Sequence, residues 1–178
     1  MSAPASEFPR PLRLDTLGEA ERDVPIEANE AERAALAIRF GLIALDRLTA
    51  AVRLSREGQA VLATGRIAAA VTQPCVATGE PVPAVIDESF RLRFIPEQAA
   101  ADAEEIELSE DDCDTVPYTG GVIDIGEAVA ETLALALDPF PRSPNATAIL
   151  KAAGVVQEDE VETGPFAALK ALRDKLGQ

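Results

Sequence analysis

The residues from Gly65 to Pro96, GRIAAAVTQPCVATGEPVPAVIDESFRLRFIP, constrain this chain more than any other stretch. Apolar positions recur at every second place on both sides of a Thr78-Gly79-Glu80-Pro81 turn: Gly65, Ile67, Ala69 and Val71 before it, Ile86, Phe90, Leu92 and Phe94 after it. Successive side chains of a strand point to opposite faces, so a period of two predicts two long antiparallel strands folded back on each other, each with one face buried. Pro74, Gly79, Pro81 and Pro83 mark the turn, because proline fixes φ and glycine accepts φ > 0. Inside it sits Cys75, one of two cysteines and the first place to look for chemistry.

The alternation extends upstream. Leu48, Ala50, Val52 and Leu54 face one way between Leu48 and Arg56, Glu57-Gly58 forms a turn, and Val61 leads into the central pair. Three consecutive antiparallel strands, a meander, follow from this order. Helices would cover one face, and the other would show Thr49, Arg53, Thr64, Arg66, Arg91 and Arg93. The four arginines form a candidate contact patch, with Asp87 and Glu88 beside them as ordinary ion-pair partners.

Short edge strands are expected in Phe8 to Leu17 and at Val24-Pro25-Ile26, since an edge tolerates proline. Asn29 and Glu32 have capping-box spacing ahead of a helix from about Glu30 to Phe40, with Gly41 as its stop and Ala31, Ala35, Ile38 and Leu42 as its buried stripe. A strand is expected within Val116 to Ile123. Asp124 and Glu127 then repeat the cap spacing for a helix from Ile125 to about Leu137, with Ile125, Val129, Leu133 and Ala136 inward; Asp138-Pro139-Phe140-Pro141-Arg142 ends it. Ala146 to Ala153 reads as a short helix. The expected fold is α+β: an antiparallel sheet, open or closed into a barrel, packed with a few helices. Residues 1–162 are expected to form one domain with an acidic loop at about 97–114. Residues 163–178 would form an amphipathic helix from Pro165, with Phe166, Leu169, Leu172 and Leu176 on one side and Lys170, Arg173 and Lys175 on the other.

The formal net charge of -15 repels phosphate backbones and attracts cationic chains. No apolar run approaches the roughly 18 residues of a membrane span, and the first residues lack a basic region followed by an apolar one, so a cytoplasmic protein is expected. Catalysis finds little support. The chain has no histidine, no phosphate-binding glycine loop, and no cation near Cys75 in sequence to activate it. Cys113 lies between Asp112 and Asp114, but neither a zinc set of thiolates and imidazoles nor the spacing of a calcium loop is present. No catalytic residue, metal, cofactor, small-molecule substrate or membrane contact is expected.

Several stretches taken in order resemble one family: Glu32-Arg33 with Ala37 to Leu42, Gln73 to Val82, Ile123 to Ala128 through Leu135 to Arg142, and Gly164 to Leu169. They resemble the YceD family of large ribosomal RNA subunit accumulation proteins, in a form like that of alphaproteobacteria. The resemblance implies a non-catalytic bacterial cytoplasmic factor needed for accumulation of the large-subunit ribosomal RNA, whose gene often neighbours that of a small large-subunit ribosomal protein. Many members carry a second cysteine three positions after the first, where this chain has Thr78, and some have a cysteine-rich tail where it has Asp138 to Pro144. Two mechanisms stand under this reading. In one, Arg53, Arg66, Arg91 and Arg93, with Cys75 nearby, contact the large-subunit RNA. In the other, the acidic surface shields a basic large-subunit ribosomal protein. A reading of another class is an acidic protein–protein adaptor that uses Phe166, Leu169 and Leu172.

Overall fold

The computed structural model describes residues 6–97 and 114–155, and the alternating stretches become its sheet. The strands are β1 (Pro11–Arg13), β2 (Arg22–Glu27), β3 (Ala44–Glu57), β4 (Ala60–Pro74), β5 (Pro81–Pro96), β6 (Asp114–Tyr118) and β7 (Val122–Asp124). The helices are α1 (Glu30–Arg39), α2 (Ile125–Ala136) and α3 (Ala146–Ala152).

β3, β4 and β5 make the expected antiparallel meander within a five-stranded sheet of order β2-β3-β4-β5-β6. The sheet is open: β2 and β6 are its edges, and each carries a proline, Pro25 or Pro117, which an edge tolerates. Gly58 at φ 64° supplies the positive φ of the tight β3–β4 turn, where Glu57 pairs with Ala60.

Two expectations about strands are corrected. The Val116 to Ile123 strand is two strands split at Gly120 and Gly121, both at positive φ. β6 joins the main sheet parallel to β5, Leu92 opposite Asp114 and Pro96 opposite Tyr118. A parallel return needs a crossover of about a dozen residues or more, and 98–113 has that length. The acidic loop expected at 97–114 lies outside the described residues apart from its two ends, and Asp114 already belongs to β6. In the Phe8 to Leu17 stretch only Pro11–Arg13 is strand, and it pairs with β7 in a separate two-stranded sheet instead of edging the main one.

One face of the meander is the core. Leu48, Leu54, Ile67 and Ala69 are completely buried there, and Val129 and Leu133 of α2 are equally buried. Each of the fully buried Leu, Ile and Val side chains contributes about 2 kcal/mol. Phe8, also fully buried, anchors an amino-terminal strap over the first turn of α2, where the Ile125 amide donates to the Arg10 carbonyl at 3.2 Å.

α1 starts with both halves of its capping box. The Glu32 amide donates to Asn29 Oδ1 at 3.0 Å and the Asn29 amide to Glu32 Oε2 at 2.8 Å. Its buried stripe differs from the expected one. Leu36 and Ala37 are buried, whereas Ala31 is exposed and Ile38 is 83% exposed. Alanines surround most of this helix, so its sequence offers two apolar faces, and packing along β3 selects one of them.

Candidate functional site

The sheet registers bring the four arginines to one face. Arg53 lies opposite Thr64, which lies opposite Arg91; Arg66 stands two places along β4 and Arg93 two places along β5. This face has no helix over it among the described residues, and all four guanidinium side chains are exposed. Arg47 shares the face. A strand expected only from Leu48 misses it, although its odd position in the same alternation marks it.

Three of the four arginines are paired with carboxylates. Arg53 Nε donates to Asp23 Oδ1 at 2.9 Å, with Glu21 at 3.7 Å; Arg66 binds Asp87; Arg93 lies 3.8 Å from Glu57. Arg91 has no ion pair among the described residues. The hydrogen bond from Arg66 holds the Asp87 carboxyl below its usual range, with the charges of Arg66 and Arg47 adding to it. Arg53 and Arg66 flank an open concavity of about 640 Å³, floored by Pro25, Ala51 and Gly65.

The Cys75 turn lies at the end of β4. Cys75 is buried and free, its amide donates to the Glu80 carbonyl at 2.8 Å, and the Gly79 amide returns to the Cys75 carbonyl at 2.8 Å. The sequence shows no cation to activate this thiol, yet its pKa is lowered to about 6. The Thr78 hydroxyl contributes most, followed by the backbone N–H of Ser143, with those of Ala77 and Thr78 assisting against the effect of burial. Hydrogen-bond donors favour a thiolate as a cation would.

The segment after α2 packs against this turn. The Val76 amide donates to the Pro141 carbonyl at 2.9 Å, and Gln73 Nε2 to the Asp138 carbonyl at 2.9 Å. Thr78 and Ser143 bring their hydroxyls to 3.5 Å; Ser143 donates to Glu80 Oε2 at 2.6 Å, and the Thr78 hydroxyl oxygen lies 3.3 Å from the same carboxylate oxygen. Thr78 and the Asp138 to Pro144 segment are therefore spatial neighbours, joined by hydroxyls and a carboxylate. Thr78, Glu80 and Ser143 escape a reading of sequence alone because 63 residues separate Glu80 from Ser143. Among the described residues no three cysteine or acidic side chains come together as a metal-binding group, and a lone thiolate falls short of a structural zinc set. Cys113 lies outside those residues, as do Phe166, Leu169 and Leu172.

A family model described as large ribosomal RNA subunit accumulation protein YceD matches residues 63–173, more than half of the chain. The chain belongs to that family. The YceD match takes in β4 from its fourth residue, β5 to β7, α2, α3 and the Cys75 turn, while β1, β2, α1 and β3, with the resembling residues Glu32-Arg33 and Ala37 to Leu42, precede it. No curated protein and no solved structure matches the chain. The YceD description ties the chain to accumulation of large-subunit ribosomal RNA. No helix among the described residues is long and apolar enough to cross a membrane.

Proposed function

We propose that this chain is a non-catalytic cytoplasmic factor in ribosome biogenesis that supports large-subunit RNA accumulation by capturing a basic large-subunit ribosomal protein. The observation that carries the choice is the pairing of Arg53, Arg66 and Arg93 with carboxylates on the open sheet face. A phosphate backbone would have to displace those carboxylates, and it would approach against a net charge of -15. A cationic protein meets no such barrier, and its encounter is accelerated by the same field.

The test is an affinity pull-down of the tagged chain from its own cell extract, with and without ribonuclease. A basic large-subunit ribosomal protein retained after ribonuclease is the expected result. Large-subunit components recovered only without ribonuclease would overturn shielding and make the arginine face the RNA contact. The double variant Arg91→Glu, Arg93→Glu is expected to retain the captured protein; its loss from a folded variant would count against this mechanism.

A further inference from the structure

Part of the apolar stripe that sequence periodicity assigned to the core of α1 is left uncovered: Ala31 and Ile38 are exposed, while Leu42 packs half-buried against the core. Ile38 is 83% exposed and Ile43, just beyond the helix, is 53% exposed. They border a groove of about 490 Å³ that also takes in Ala34 and Leu42. Its charged rim is Glu30, Arg33 and Asp46, two carboxylates against one guanidinium, and Arg33 is turned to the Ala28 carbonyl at 2.7 Å. An apolar floor with an acidic margin fits an amphipathic, cationic helix.

The chain holds one segment of that description. Residues 165–178 carry Lys170, Arg173 and Lys175 against Asp174 alone, on a protein of net charge -15, with Phe166, Leu169, Leu172 and Leu176 at helical spacing. Reach permits it. The Ile43 amide donates to the Thr72 carbonyl at 2.8 Å, next to Gln73, which binds the Asp138 carbonyl, so the groove and the segment leading to α3 share one end of the sheet. From Val155 to Pro165 ten residues can span roughly 33 Å, about the diameter of a domain this size.

We propose that the groove beside α1 is the docking site of the chain's own residues 165–176, apolar stripe on Ile38 and Ile43, with the lysines and arginine toward Glu30 and Asp46. The inference is independent of which ribosomal component is captured.

The test uses the full chain with a photo-reactive benzophenone side chain in place of Leu172. Isotope-labelled and unlabelled chains are mixed before irradiation, and the cross-links are mapped by mass spectrometry. Cross-links within one chain to residues 34–46 are expected, and Ile38→Asp, at an exposed position that leaves the fold intact, should reduce them at least tenfold. Cross-links between labelled and unlabelled chains would assign the groove to a second copy and overturn the proposal. Cross-links spread equally to Val85 on the open sheet face, or the absence of any within the chain, would overturn it as well.

Discussion

At Gly126 a missing methyl group decides how the amino-terminal strap meets α2. A Cβ there would lie 1.8 Å from the Phe8 carbonyl oxygen and 3.0 Å from the Arg10 amide, backbone atoms that cannot rotate away. Gly126→Ala should therefore lower the urea-unfolding free energy by about 3 kcal/mol, the upper end for overpacking. Gly65 is tight for a related reason: its Cβ would meet the Ala51 carbonyl oxygen at 2.7 Å and the Phe90 ring at 2.6 Å. The alternation shows that position 65 belongs to the inner face, but only the cross-strand approach of Phe90 shows why it is glycine. Cys75 follows the same division. Its place in a turn is legible, whereas the donors that lower its pKa come partly from Ser143. In a Cys113→Ser background, ultraviolet thiolate absorbance should titrate with a midpoint of about 6, and Thr78→Val should move it upward. Because the folded pKa lies below the ordinary thiol value, this group adds stability as pH rises from about 6 through that value. Cys75→Ala should remove that rise, as read by urea midpoints across the window.

The elements were legible to different degrees. The caps of α1 and α2 are local, and the Asn29–Glu32 box and the Asp124 side chain accepting from the Gly126 and Glu127 amides follow the spacing. Glu127 departs from it: instead of closing the second half of a box, it binds Arg39 of α1 at 2.6 Å. Arg10 joins the strap to α1 through a two-armed contact with Glu32, at 2.7 and 2.9 Å, and also donates to the Glu27 carbonyl at 2.9 Å. Hydrogen bonds to charged partners contribute about 2 kcal/mol, so Arg10→Met should lower the unfolding free energy by that order in urea. The guanidinium of Arg10 holds the Glu32 carboxyl below its ordinary range, and that of Arg39 does the same for Glu127. A depressed carboxylate pKa stabilises the fold above the ordinary value and loses that contribution as pH falls through the depressed one. Glu127→Gln should accordingly flatten the loss of stability as pH falls below the ordinary carboxylate range in acid-titration urea melts.

For the molecule as a whole, like charge opposes compaction. With a net charge of -15 and only surface ion pairs to offset it on the sheet face, screening should help: raising sodium chloride to about 0.5 M is expected to raise the thermal midpoint. A fall would point to the ion pairs as the larger effect. The sequence by itself determined the α+β class, the β3–β5 meander, the helix caps and the face on which Arg53, Arg66, Arg91 and Arg93 stand. Those properties rest on periodicity and on spacings of a few residues, which a single chain displays directly. The tertiary structure decided that the sheet stays open, that β6 returns parallel, that β1 leaves it for β7, and that α1 buries Leu36 instead of Ile38. It also placed Ser143 beside Cys75. Each of these depends on which distant surface an element packs against, and where two faces are nearly equal in apolar character, packing makes the choice.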